Sequence, residues 1–85
     1  MADDLELILS PLSGEFTRDG ITVLVEIFRL SDGGGWALEV LFRKEAASSW
    51  EQQFPTDQAA FGYFMRLVEA GGMSPFTRGE PFILH

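Results

Sequence analysis

A two-residue turn, Asp19-Gly20, is the feature that most restricts how this chain folds. The type I′ turn that joins adjacent antiparallel strands needs positive φ at both central residues, which Asp and Gly tolerate. Residues 15–18 precede the turn, and the β-branched run Ile21–Leu30 follows it. This segment therefore predicts a β-hairpin.

Two further turns extend the hairpin. The segment Ser-Asp-Gly-Gly-Gly at residues 31–35 leads into an apolar strand at 36–43, and polar residues 44–48 lead into another at 49–54. Hairpins joined in sequence predict an antiparallel β-meander over residues 15–54. Residues 1–14 alternate leucines with other residues before Pro11 and Gly14 interrupt them, which predicts an N-terminal edge strand or an extended arm. The sheet is thus expected to have three to five strands, with one or two of them in residues 1–18.

The strand pairing is predicted from the register that best separates apolar from polar side chains. The best solution places Leu30 opposite Gly35 and Arg43 opposite Ser49. One face then collects a core of Phe16, Ile21, Val23, Val25, Ile27, Trp36, Leu38, Val40, Phe42, Trp50 and Phe54. The other face is mixed, with an apolar centre at Leu24, Phe28 and Leu41.

A helix is predicted over residues 56–70. Thr56 is a good N-cap, and apolar residues recur at helical spacing up to Val68 before Gly71-Gly72 ends the pattern. Gly62, in the middle, permits a close approach of the helix to the sheet or to a partner, or simply faces solvent. Residues 73–85 contain two prolines and a glycine, so they are expected to form an extended arm. Its apolar residues Phe82, Ile83 and Leu84 would dock on the same domain or on a neighbouring chain.

Together these elements predict one α+β domain over residues 1–85, an antiparallel β-meander with a single C-terminal helix on one face. A chain of 85 residues buries enough surface for one modest core. The net charge of −7 disfavours general nucleic-acid binding, and the absence of cysteine excludes disulfides and thiol chemistry. The acidic N-terminus lacks the basic start of a signal peptide, and no apolar run is long enough to span a membrane. A small, soluble, acidic protein of the cytoplasm, without a membrane partner, is expected.

Catalytic patterns are scarce. His85 is the only histidine and ends the chain, and no Gly-x-Ser-x-Gly elbow is present. No catalytic residue, cofactor or metal site is therefore predicted, and an enzyme is not expected. Glu26 and Glu39 form a candidate carboxylate pair, because the predicted register sets them opposite each other. Three interpretations are open for such a pair: it takes part in acid–base chemistry, it binds a cation, or both side chains are exposed to water with Arg43 nearby.

The meander, followed by Gln-Phe-Pro-Thr-Asp-Gln-Ala-Ala at residues 53–60 opening an aromatic-rich helix, resembles three-stranded-sheet-plus-helix DNA-binding domains of the AP2 and phage-integrase arm type. The resemblance covers residues 15–70 in the order of their elements and implies a similar overall shape. Those families carry basic and aromatic residues on the exposed sheet face, where this chain has glutamates. The run from Ser13 to Val40 also resembles small bacterial proteins of unknown function.

These observations predict a non-enzymatic protein-interaction module that binds itself, as a homodimer, or another protein. The candidate interface comprises Leu24, Phe28, Leu41, Phe82, Ile83 and Leu84. If residues 1–12 or 73–85 fold back within the chain, they would cover this surface instead. The alternative function is a nucleic-acid-associated or polyanion-mimicking regulatory factor that binds through Arg43-Lys44 or an acidic face.

Overall fold

The computed structural model describes residues 6–43, 46–50 and 52–78. These residues form a five-stranded antiparallel sheet, a helix and a short 3₁₀ helix. In chain order the elements are β1 (Leu7–Leu9), β2 (Gly14–Arg18), β3 (Ile21–Leu30), β4 (Gly33–Phe42), β5 (Ala46–Ser49), α1 (Asp57–Gly71) and the 3₁₀ helix (Ser74–Arg78). The strands lie in the order β1-β3-β4-β5, and β2 also pairs with β3. The predicted α+β class, an antiparallel sheet with one helix, is confirmed.

Strands β1 and β2 share one edge of β3. Leu9 pairs with Phe28 and Gly14 pairs with Val25, so residues 10–13 lie opposite only two residues of β3. The Ser13 hydroxyl bridges the gap, because it accepts a hydrogen bond from the Ile27 N–H at 3.0 Å and donates one to the Ile27 carbonyl at 3.2 Å. The N-terminal segment therefore adds β1 to the edge that β2 occupies, and a bulge of two extra residues separates the two strands.

The Asp19-Gly20 turn forms as predicted, with φ values of 55° and 77°. The next hairpin differs at its tip. Leu30 pairs with Gly33 and not with Gly35, because the register shifts between Phe28 and Leu30. A bulge absorbs the two extra residues, so the pairing of Ile27 with Leu38 further along the strands is the predicted one.

The last hairpin is also displaced from its predicted register. Strand β5 covers Ala46–Ser49, and Ser49 pairs with Glu39 and not with Arg43. Arg43 follows β4 directly with a φ of 59°, so the chain reverses there. The small residues Ala46 and Ser48 are buried where β5 contacts the 3₁₀ helix. Phe54 instead forms an isolated bridge with Trp36.

Helix α1 packs on the inner face of the sheet, the face that carries the core residues predicted from the sequence. All eleven of those residues belong to the core or pack against it. The helix adds Ala60, Phe64 and Val68. Thr56 caps the helix as predicted, since its Oγ1 accepts a hydrogen bond from the Ala59 N–H at 3.0 Å.

The segment after the helix differs from the predicted extended arm. Gly72, with a φ of 74°, reverses the chain, and the Ser74–Arg78 segment coils into the 3₁₀ helix. Met73 and Phe76 enter the core, where the Phe76 ring lies 5.4 Å from that of Phe64. Pro75 is the second residue of the 3₁₀ helix, and proline is compatible with the first turn of a helix. The prediction that the prolines would keep this segment extended was therefore wrong for residues 74–78. Phe82, Ile83 and Leu84 lie outside the described residues.

Candidate functional site

The outer face of the sheet, opposite α1, is the candidate functional site. The strand register assigns it fourteen residues: Leu7, Leu9, Glu15, Thr17, Thr22, Leu24, Glu26, Phe28, Leu30, Ala37, Glu39, Leu41, Ala47 and Ser49. None of these side chains is buried. Since α1 and the 3₁₀ helix enclose the inner face, no described element covers the outer one. The prediction that residues 73–85 fold back over this face therefore fails for residues 73–78.

A first apolar patch occupies one end of the outer face. It consists of Leu7, Leu9, Phe28, Leu30 and Ala37, which are neighbours because Leu7 pairs with Leu30 and Leu9 with Phe28. Leu7, Leu9 and Leu30 are 59%, 53% and 43% exposed. Antiparallel sheets that face water usually alternate apolar and polar residues, so apolar side chains on both faces are unusual.

A second apolar patch lies further along the strands. It is a single row in which Leu24 pairs with Leu41, and Leu41 with Ala47. The predicted apolar centre at Leu24, Phe28 and Leu41 is thus divided between the two patches. Sequence reasoning missed Leu7 and Leu9, although their alternation was visible, because the pairing of β1 with β3 is set by tertiary structure.

An acidic row separates the two patches. Glu26 and Glu39 are directly opposed, as predicted, and in such pairs the Cβ atoms are about 5 Å apart. Both residues are half-buried, and neither has a hydrogen bond or ion pair within the described residues. The Arg43 guanidinium lies 4.8 Å from the centre of the Phe42 ring and does not pair with them.

The sheet edges are poorly suited to accept another strand. The bulge at residues 10–13, which includes Pro11, interrupts the edge formed by β1 and β2. The other edge strand, β5, has only four residues and contacts the 3₁₀ helix. Short, bulged or covered edges are common protections against strand addition. The outer face is consequently the larger surface available for contacts.

Two shallow depressions lie among the described residues. A depression of about 240 Å³ lies between Glu15, Leu24, Leu41 and Arg43, and another of about 290 Å³ lies beside residues 32–35, at the tip of the hairpin formed by β3 and β4. Both are lined in part by residues of the outer face, Phe28 and Ala37 in the larger and Leu24 and Leu41 in the smaller.

Other reactive groups are dispersed. In the parts of the chain that the structure describes, no three His, Cys, Asp or Glu residues converge as metal ligands. His85 lies outside those parts. Burial raises the pKa of the Tyr63 phenol above its usual 10.0. Among the same residues, no helix has the length and apolarity needed to cross a membrane.

Comparison with protein-family models, curated protein sequences and solved structures finds no match. The resemblance to sheet-plus-helix DNA-binding domains and to small bacterial proteins of unknown function therefore stays a prediction.

Proposed function

We propose that this chain is a non-enzymatic protein-interaction module whose contact surface is the outer face. The observation that carries the proposal is the first apolar patch, in which three leucines beside Phe28 are each more than two-fifths exposed. Contiguous exposed apolar patches on small proteins commonly mark contact surfaces, whereas scattered apolar residues do not. The predicted interface residues Leu24, Phe28 and Leu41 lie on this same face.

The dimensions of the face limit the size of the contact. Strands β3 and β4 have ten residues each, so at about 3.3 Å per residue they are roughly 33 Å long. Four strand columns at about 4.8 Å spacing span roughly 14 Å between the outermost strand axes. The resulting projected area is at most on the order of 500 Å², because β5 has only four residues, and is smaller than the roughly 800 Å² that each partner contributes to a standard interface. The partner is a second copy or another protein, and the absence of cysteine supports a cytoplasmic setting.

Solution mass across a concentration series tests the proposal. The wild type is compared with Leu9→Asp and Phe28→Asp on the outer face and with the matched control Gln58→Asp, an exposed position on α1. If the partner is a second copy, the wild type and the control dimerise while both patch variants stay folded monomers by circular dichroism.

If the wild type is monomeric at every concentration, affinity capture tests whether the partner is another protein. The wild type, the two patch variants and the control Gln58→Asp each serve as bait. A polypeptide retained in stoichiometric amount by the wild type and Gln58→Asp, and lost with both patch variants, supports the proposal. Identical behaviour of all four proteins in mass and in capture contradicts it.

The alternative, a nucleic-acid-associated or polyanion-mimicking factor, draws on the acidic row at Glu26 and Glu39. Direct titration with DNA and RNA over a salt series tests nucleic-acid binding, because phosphate contacts give affinities that fall steeply with salt. Polyanion mimicry would appear as competition with DNA for a basic protein.

A further inference from the structure

The order of side chains along β3 limits what the outer face can bind. Outward-facing residues run from Phe28 of the first apolar patch, through Glu26 of the acidic row, to Leu24 of the second apolar patch. At about 3.3 Å per residue, Phe28 and Leu24 are roughly 13 Å apart, with Glu26 midway. A ligand that covers both patches must also cover the two glutamates.

Charge discriminates between the possible occupants. A second copy centred on this face would bring its own Glu26 and Glu39 against the first pair, and four like charges would lose water together. Complementary interfaces avoid buried unpaired charges, because such a charge loses its hydration without gaining an opposite charge. A positively charged side chain from a different protein would instead satisfy both carboxylates. The net charge of −7 also attracts a basic partner over long range.

The shape of the face favours a helix. Both sheet edges are protected, as described above, so an added strand has no suitable place, whereas helices commonly cover open sheet faces. A helix rises about 1.5 Å per residue, so residues i and i+7 lie about 10.5 Å apart on one side, close to the spacing of the two patches. Residues i+3 and i+4 lie between them on the same side.

We propose that the outer face binds an amphipathic helix of another protein, with apolar residues at i and i+7 and an arginine or lysine at i+3 or i+4. The apolar residues contact the first and second apolar patches, and the cation lies between Glu26 and Glu39. This inference rests on the proposed function and specifies its partner.

Synthetic peptides test it directly. The probe is an alanine-based helical peptide of about 18 residues with leucine at i and i+7 and arginine at i+4. The matched control peptide has glutamate at i+4. Binding is measured by fluorescence anisotropy with the full chain at low and high salt. The arginine peptide is expected to bind at least tenfold more tightly than the glutamate peptide, with a smaller ratio at high salt.

Protein variants locate the contact. The double variant Glu26→Gln, Glu39→Gln should remove most of the preference for arginine, and Glu26→Lys, Glu39→Lys should reverse it. Leu9→Ser should weaken both peptides equally, because it alters the apolar contact alone. All these positions face outward, and circular dichroism verifies that each variant is folded.

The outcomes separate this inference from the proposed function. Equal binding of both peptides, or a preference that persists in the glutamine variant, overturns the inference. Weakening of that binding by Leu9→Ser would still support an interaction surface.

The absence of peptide binding has two readings. If the wild type is a dimer that Leu9→Ser dissociates, a second copy is the occupant, which also overturns the inference. No peptide binding by a wild type that stays monomeric overturns it as well. If capture in addition shows no partner that depends on the patch, the proposed function fails too.

Discussion

The Ser10 hydroxyl donates a hydrogen bond to the Asp57 carboxylate at 2.7 Å, between residues 47 positions apart in the chain. Ser10 follows β1 and is buried, and its oxygen also accepts a hydrogen bond from the Leu12 N–H at 3.0 Å. Asp57 is in the first turn of α1, where the helix dipole favours its negative charge. The pair ties the bulged edge of the sheet to the start of the helix.

Ser10→Ala should lower the free energy of unfolding by about 1.5–3 kcal/mol, the range for a hydrogen bond to a charged group. Urea unfolding measures the change. The matched control is Ser31→Ala, because the Ser31 hydroxyl accepts an exposed hydrogen bond from the Glu6 N–H and should contribute about 0.5 kcal/mol. Equal effects of the two substitutions would show that the contact with Asp57 is energetically unimportant.

Tyr63→Phe should change the response to alkali. The Tyr63 hydroxyl is enclosed without a hydrogen-bond partner among the described residues, and burial raises its pKa above 10.0. The folded state thus favours the neutral phenol, so this contribution to stability is complete below pH 10 and is lost as pH rises through the folded pKa. Urea midpoints between pH 8 and 11 should fall less in Tyr63→Phe than in the wild type.

At neutral pH, Tyr63→Phe should leave stability unchanged or raise it by up to about 1 kcal/mol, because it removes an unsatisfied polar group. A loss of stability at neutral pH would mean that the hydroxyl has a partner in solution. The same alkaline decline in both proteins would assign that decline to another group.

Gly62→Ala should stabilise the chain by about 1 kcal/mol. A Cβ at this position in α1 would have no atom within 4 Å, so the gain in helix propensity has no steric cost. Of the two sequence interpretations, a close approach at Gly62 is not seen among the described residues.

Gly35→Ala is the matched contrast and should destabilise by about 1–3 kcal/mol. Its Cβ would lie 2.8 Å from the Gln53 Cβ and 3.1 Å from the Phe54 carbonyl oxygen, beside the bridge to Trp36. Thermal unfolding of both variants measures the difference. A stable Gly35→Ala would indicate that the segment at residues 53–54 moves aside readily.

Glu39→Lys should stabilise the sheet by about 0.2–1 kcal/mol, because it replaces a like-charge pair with an opposite-charge pair facing Glu26. Urea unfolding at low salt and in 1 M NaCl measures the effect, and the gain should shrink at high salt. A gain that does not depend on salt would point to β-propensity or packing as its cause.

The sequence was sufficient to predict the elements whose signals are local. Asp19-Gly20 places the first hairpin, and Thr56 places the start of the helix, because turn and cap preferences depend on a few adjacent residues. The inner face was also predicted correctly, although Ser49 pairs four residues from its predicted partner. Side chains alternate with a period of two, so an even shift in register leaves every residue on the same face. The opposition of Glu26 and Glu39 was predicted because the register between Leu24 and Phe28 is the one inferred from the sequence.

Tertiary structure decided the features that join distant segments. No local pattern shows that β1 shares an edge of β3 with β2, or that Ser13 fills the bulge with hydrogen bonds to Ile27. That pairing brings Leu7 and Leu9 beside Phe28 and creates the first apolar patch. The burial of Phe76 likewise depends on a space that the sheet and α1 form together. Local sequence determines which side of each strand and helix faces the core. Which elements become neighbours depends instead on the packing free energy of the whole domain, because that free energy comes from contacts between distant segments.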